Sequence, residues 1–341
     1  MVREWEESGT VYRSVTYHVG TFKGKPARVA AFFGFPKGAQ KVPGLLHLHG
    51  GGQRAFLKEV EFYAKRGYAC LSVNWGGREM ENAKAGDPNT DWGAVDPSQL
   101  NVPGYSSMLP GPKQFFEDRE HPKNNNWYLL TLGCRRALTF LEQQPEVDAE
   151  RFGVHGYSMG GNLVLKAAGE MGGAVPAFAG VVAVCPNIDP TQCVAALEQP
   201  RNWIYHQHFL SQLKARMKRK AGLFPGKWDL RAMGSMKTIS QFDDYYTARD
   251  GGYRNGADYY DRAGARHVLS RIAVPTMIIT AQDDPFIPYS LFTGPELTGH
   301  RSIALLAPRH GGHCGFFSPS HNGEDSYWAE NRIVEFVSCS R

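Results

Sequence analysis

The segment Gly156-Tyr157-Ser158-Met159-Gly160 holds a serine at the spacing G-x-S-x-G. That spacing suits a nucleophile elbow, a sharp strand-to-helix turn that lifts a serine hydroxyl clear of the chain. A hydroxyl is a weak nucleophile near neutral pH. It needs a base within hydrogen-bond reach, and the base needs an orienting acid. Two adjacent carboxylates, Asp283 and Asp284, lie in Ala281-Gln282-Asp283-Asp284-Pro285-Phe286, and two histidines follow in His310-Gly311-Gly312-His313-Cys314-Gly315. The glycines flanking His313 suit a loop that must bring an imidazole close to the serine, so His313 is preferred to His310 as base. Neighbouring carboxylates repel if both are buried, so one of the pair is expected to face solvent or cap the next helix. Charge developing on a substrate carbonyl needs two preorganised N–H groups. Met159, directly after Ser158, offers one. The run His49-Gly50-Gly51-Gly52 offers the other, with Gly51 preferred and Gly52 next.

These residues need a scaffold, and apolar patterning predicts one. Residues 11–19 and 26–36 read as two edge strands, rich in β-branched and aromatic residues. Residues 42–49 form a nearly continuous apolar run ending in glycines, as a buried parallel strand would. A helix over 54–65 stops at Gly67, and a second buried strand spans 68–75. A helix over 127–144 precedes a short strand at 151–155, which runs into the elbow, with a helix over 162–170 after it. Gly156 and Gly160 are expected to let this turn close. Further strands are predicted at 178–185, 272–281 and 302–307, and a closing helix at 327–337. Alternating strands and helices of this kind predict an α/β fold with a doubly wound, mostly parallel sheet. Residues 187–265 are helical, aromatic and basic, and they break the rhythm where a cap would cover the C-terminal strand ends. The expected division is therefore a core of 1–186 and 266–341 with a helical cap of 187–265.

The 76–126 stretch is rich in Gly, Pro, Asn and Asp, and a loop this long is usually functional when ordered. Trp75, Trp92 and Tyr105 in or beside it could stack on a sugar ring or line an acyl pocket, or simply pack the loop. His49, Gly52, Trp75 and Tyr157 are expected substrate-binding positions. The basic run 214–220 reads as the solvated face of a cap helix, with attraction to anionic substrates or membranes as the alternative.

A chain of 341 residues with 42% hydrophobic and 21% charged residues suits one globular core with an insertion. The net charge of +5 is a mild excess, and no nucleic-acid module accompanies it. No window approaches the roughly 18 apolar residues of a spanning helix. The start, Met1-Val2-Arg3-Glu4-Trp5-Glu6-Glu7, is charged and lacks the apolar stretch of a secretory leader, so a cytoplasmic location is expected. Cys70, Cys134, Cys185, Cys193, Cys314 and Cys339 are scattered without metal-ligand spacing, so reduced thiols, no metal and no cofactor are expected.

At these motifs the chain resembles the α/β-hydrolase superfamily. From about residue 156 onward it is similar to YheT-like hydrolases, through Gly160-Gly161-Asn162-Leu163-Val164-Leu165-Lys166, Phe242-Asp243-Asp244, Asp258-Tyr259-Tyr260, Asp283-Asp284-Pro285-Phe286 and Gly311-Gly312-His313-Cys314-Gly315-Phe316. The N-terminal part looks more like acetyl-xylan-esterase and dienelactone-hydrolase relatives, through His47-Leu48-His49-Gly50-Gly51-Gly52, the segment around Trp75-Gly76-Gly77, and 141–151. The resemblance implies an α/β-hydrolase fold and the chain order Ser, Asp, His. It also implies a triad of Ser158, one Asp of the pair and His313. Relatives often place the acid four residues before a proline, and Pro288 gives that relation to Asp284, with Asp283 as runner-up.

The expected activity is hydrolysis of carboxylic esters through an acyl-enzyme, with short-chain or carbohydrate acetyl esters favoured. A lipase acting on longer chains is the alternative, with acyl transfer or peptidase chemistry on the same fold behind it. A non-catalytic binding protein is disfavoured, because no part of the machinery is missing.

Overall fold

A computed structural model describes residues 3–22, 25–49, 54–74, 80–81, 126–172, 178–223, 226, 228–250, 252–320 and 324–339. Its strands are β1 (Arg3–Glu7), β2 (Thr10–Phe22), β3 (Lys25–Pro36), β4 (Val42–Leu48), β5 (Ala69–Val73), β6 (Val147–Tyr157), β7 (Phe178–Val184), β8 (Thr276–Ile279) and β9 (Ile303–Leu306). They form one nine-stranded sheet in the order β1-β2-β3-β5-β4-β6-β7-β8-β9. The wing from β1 to β5 is antiparallel, and from β5 through β9 every pairing is parallel. The α/β, mostly parallel architecture read from the sequence is the one observed.

The two expected edge strands are interior instead. β1 pairs with β2, from Arg3 opposite Ser14 to Glu7 opposite Thr10, and takes the edge itself. Its sequence, Arg-Glu-Trp-Glu-Glu, is charged and mostly exposed, as a strand with one solvated side requires. With β1 counted, the strand that ends before His49 is the fourth.

The central strands are buried on both faces, which explains their unbroken apolar runs. Every residue of β5 is buried, as are Leu45 and Leu46 of β4 and Val181 to Val184 of β7. β8 is shorter than its apolar run, because Pro275 has no N–H to donate to a ladder. The Pro275 carbonyl still accepts from the Val181 N–H at 2.9 Å.

The helices include α1 (Leu57–Ala64), α2 (Asn126–Glu142), α3 (Met159–Met171) and, at the end of the chain, α9 (Trp328–Cys339). His155 and Tyr157, two residues apart on β6, share one face of the sheet. The His155 ring lies 5.1 Å from Tyr63 of α1, and the Tyr157 hydroxyl donates to Glu330 of α9 at 3.0 Å.

Between β7 and β8 the chain forms α4 (Pro190–Leu197), α5 (Trp203–Leu223) and α6 (Ile239–Phe242), which continues through a π-turn at Asp243–Thr247 into α7 (Ala248–Asp250); α8 (Gly256–Ala263) follows. Local capping sets several starts. Asp189 accepts from the Gln192 N–H ahead of α4, Thr238 and Gln241 form a capping box at α6, and Asn255 caps α8. Leu210, Met217, Met233, Met236, Ile239, Phe242 and Tyr246 form an apolar cluster of their own, apart from the core around the sheet. Polar ties fasten this helical segment to the core, among them bonds between Asn162 of α3 and both Ala263 and Ala265. Arg266 donates to Asp189 at 2.9 Å, and the buried Asn202 amide donates to the Pro285 carbonyl at 2.7 Å.

Candidate active site

β6 ends at Tyr157 and α3 begins at Met159, so the whole reversal falls on Ser158. Its backbone sits at φ 54°, ψ −113°. A non-glycine residue held in that region costs on the order of 1–3 kcal/mol, so its surroundings must fix it. The Ser158 N–H donates to the Val184 carbonyl at 2.8 Å, and the Ser158 carbonyl accepts from the Asn162 N–H at 3.1 Å. Strand pairing on one side and the first helical bond on the other thus clamp the turn.

The steric requirement differs in one position from the expectation. A Cβ on Gly156 would stand 2.7 Å from the Gly160 carbonyl carbon, far inside contact distance. A Cβ on Gly160 would meet nothing within 4 Å. The second crowded position is Gly161, where a Cβ would lie 3.1 Å from Pro186 Cβ and 3.2 Å from the Gly156 oxygen. The elbow is therefore closed by Gly156 and Gly161, not by Gly156 and Gly160.

Ser158, His313 and Asp284 meet at the C-terminal ends of the parallel strands. His313 Nε2 lies 2.9 Å from Ser158 Oγ, and His313 Nδ1 lies 2.9 Å from Asp284 Oδ2. Asp284 is 8% exposed, and its other oxygen accepts from the Phe286 and Ile287 N–H groups at 2.8 and 3.0 Å. Both carboxylate oxygens are thus satisfied, which a buried charge requires. Asp283 points outward. It accepts from the Gly312 N–H at 2.8 Å and lies 3.2 Å from His310 Nδ1 on the exposed side. The Gly312 bond, with help from His310, holds the Asp283 carboxyl below its ordinary range.

The loop carrying His313 is built from left-handed turns, with Gly312 at φ 51° and Cys314 at φ 65°. Burial pulls the His313 imidazole down, but the Asp284 hydrogen bond and the nearby Cys314 and Asp284 charges raise it, and the net direction is above its ordinary value. The Phe286 ring stands edge-on to His313 at 5.1 Å, and Tyr205 of α5 stands edge-on to Phe286 at 4.9 Å. An aromatic run thus leads from the histidine to the helical segment, where Trp203 and Ile204 are 62% and 73% exposed.

Met159 opens α3, and the first N–H groups of a helix have no partner within it. Gly51, Gly52, Trp75, Trp92 and Tyr105 lie outside the described residues. His49 is 3% exposed at the end of β4. Tyr157 is committed elsewhere, since its hydroxyl donates to Glu330 and its ring packs 6.0 Å from His155. It therefore has packing partners behind the sheet rather than a substrate-facing position. His47 and His155 are neutral in the core: burial brings His47 down to about 4, and burial with the neighbouring His47 holds His155 well below the ordinary value.

Sequence patterning did not single out Asn202 or Tyr205, because their partners lie far along the chain. Phe286 carried a signal in its place within the Asp284 motif. Ligand atoms of Cys185, His313 and Cys314 lie within 4.8 Å of one another. Among the described residues, no helix is long and apolar enough to cross a membrane.

Residues 4–202 match the family model described as acetyl xylan esterase (AXE1). This match runs past the elbow, beyond residue 156 where the resemblance was expected to change. Among curated proteins, the chain is 34% identical over 185 residues to YheT of Escherichia coli (strain K12), covering 54% of this chain and 54% of that protein. It is 30% identical over 162 residues to phospholipase ABHD3 of Mus musculus, covering 47% of this chain and 39% of that protein. It is 29% identical over 204 residues to monoacylglycerol lipase ABHD2 of Homo sapiens, covering 54% and 47%. The chain thus spans about half the length of the curated relatives it matches, or less. Two solved structures share its fold: an acetyl xylan esterase from Paenibacillus sp. R4, with TM-score 0.54, 18% identity, and coverage of 98% of this chain and 87% of that one; and acetyl xylan esterase 1 from Thermoanaerobacterium sp. JW/SL YS485, with TM-score 0.53, 14% identity, and coverage of 98% and 85%.

Proposed function

Because the chain belongs to the acetyl xylan esterase (AXE1) family of α/β-hydrolases, we propose that it hydrolyses carboxylic esters through Ser158, His313 and Asp284. The observation that carries this reading is the continuous relay, 2.9 Å from Asp284 to His313 and 2.9 Å from His313 to Ser158. With Nδ1–H donating to Asp284, Nε2 is the nitrogen that accepts the Ser158 hydroxyl proton. Ser158 Oγ then bonds the acyl carbon, and the carbonyl oxygen takes the negative charge. The N–H groups of Met159 and Gly51 hold that oxyanion. The imidazolium, stabilised by Asp284, gives its proton to the leaving alcohol. Water, activated by the same histidine, releases the acid and restores the hydroxyl. In this scheme residues 187–265 act as a cap over the strand ends of a core made of 1–186 and 266–341, supported by the Asn202 bond to Pro285 beside the acid.

Short acyl groups, including acetyl esters of carbohydrates, are the leading substrates, on the strength of the family. Longer acyl chains are a second reading. The aromatic run from His313 through Phe286 to Tyr205, with exposed Trp203 and Ile204 beside it, would give an alkyl chain an apolar path. The test is a panel of p-nitrophenyl esters of increasing acyl length together with acetylated sugars. The highest kcat/KM on acetyl esters supports the first reading, and a maximum on long chains the second. No turnover of any ester by folded protein defeats both.

A further inference from the structure

The fold brings Cys185 to the adjacent pair His313 and Cys314, about 130 residues further along the chain, and the three are ligands of the kind a soft metal takes. Cys185 directly follows β7 and is fully buried, whereas Cys314 follows His313. Cys185 Sγ lies 3.8 Å from the Gly312 carbonyl, and Cys314 Sγ lies 4.0 Å from the Val184 carbonyl, so each sulfur reaches the backbone of the other's segment. Both cysteines hold left-handed backbones, φ 45° at Cys185 and φ 65° at Cys314. Such strain in a side chain-bearing residue persists only where the surroundings impose it, and it collects at functional sites. The two sulfurs and a His313 ring nitrogen all lie within 4.8 Å of one another. Zinc bonds of about 2.3 Å to sulfur and 2.0–2.1 Å to nitrogen put tetrahedral ligand atoms about 3.5–3.8 Å apart. A contraction of about 1 Å at most therefore completes the cluster. Asp284, on His313, stands where outer carboxylates stand in zinc–histidine sites.

We propose that Cys185, Cys314 and His313 form a site for a soft divalent cation of the zinc class, and that filling it silences the base. Each sulfur loses its proton to solvent and donates a lone pair, the neutral imidazole donates a third, and the fourth position is left to water. No electron is transferred. Nε2 is the nitrogen that faces Ser158 and Nδ1 the one that faces Asp284, so coordination of either breaks the relay. The silencing rests on the reading of His313 as base; the binding does not.

The test uses the full chain, reduced with a phosphine and stripped by a chelator. Zn²⁺ is titrated while p-nitrophenyl acetate hydrolysis is followed, and Co²⁺ is titrated in parallel for its thiolate charge-transfer absorbance. The expected result is one ion per chain, activity lost in step with binding and regained with EDTA, and a thiolate band with cobalt. Cys185→Ser should keep basal hydrolysis, and the Zn²⁺ inhibition of Cys314→Ser is read relative to that variant's own basal rate. Each should weaken Zn²⁺ inhibition by more than the roughly 10–100-fold that loss of an outer partner costs. Either variant alone carries the test if circular dichroism shows the other unfolded. Equal inhibition of wild type and folded variants, or cobalt bound without a thiolate band, overturns the proposal. A thiolate band lost in the variants, in a chain that hydrolyses no ester, upholds the site and defeats the esterase reading instead.

Discussion

Asp283 and Asp284 are neighbours in the chain whose carboxylates serve different histidines. Asp284 turns inward to His313 at 2.9 Å, and Asp283 turns outward to His310 at 3.2 Å. Both histidines sit in one loop, so the divergence fixes that loop from two sides. It also separates two negative charges that would repel if buried together.

The divergence predicts unequal consequences of the same change. Asp284→Asn keeps the shape but removes the acceptor that orients the imidazole, and kcat should fall by about 10⁴. Asp283→Asn loses a partly exposed anchor of the loop and should leave kcat within about tenfold, or about 1.4 kcal/mol. Steady-state hydrolysis of p-nitrophenyl acetate by the two variants measures the difference. Similar losses in both would contradict the assignment of Asp284.

The acid dependence follows from His313. A general base works only when neutral, and the net effect of its neighbours raises the pKa of this imidazole above the ordinary value of 6.5. The rate constant kcat/KM should therefore rise with pH through a midpoint above 6.5 and level off beyond it. In Asp284→Asn the main raising influence is gone while burial still lowers the value, so the midpoint should move to lower pH as the plateau drops. A pH profile of each protein reads this directly, and an unmoved midpoint would count against the Asp284 bond as its cause.

The elbow gives a steric contrast. Gly156→Ala drives a Cβ to 2.7 Å from the Gly160 backbone and should destabilise the fold and abolish activity, whereas Gly160→Ala meets open space and should be tolerated. Thermal unfolding and hydrolysis of both variants decide the point. Equal tolerance at the two positions would mean that the turn is closed in another way.

Much of this arrangement was legible in the chain. Continuous apolar runs named the buried strands because residues packed on both faces have no polar side to show. The places of Ser158, the Asp283–Asp284 pair and His313 could be read because each follows a strand and sits among turn residues, while the preference for Asp284 within the pair came from the family resemblance through Pro288. The first strand was not, because Arg3–Glu7 is charged and solvated, so its place comes from pairing with β2 rather than from its own pattern. The crowding at Gly161 depends on Pro186 after another strand, and Asn202 depends on a carbonyl at Pro285. No local spacing reports contacts of that range. The thiol pair was hidden for the same reason, since Cys185 and Cys314 meet only when β7 and the His313 loop are side by side.

If Ser158 is an activated nucleophile, it can be trapped covalently. The most direct test is fluorophosphonate labelling of the folded protein followed by peptide mapping. A single adduct is expected on Ser158, lost in Ser158→Ala and slowed when an ester substrate competes. Folded protein that takes no label at Ser158, or takes it equally well with His313 replaced by alanine, would contradict that role.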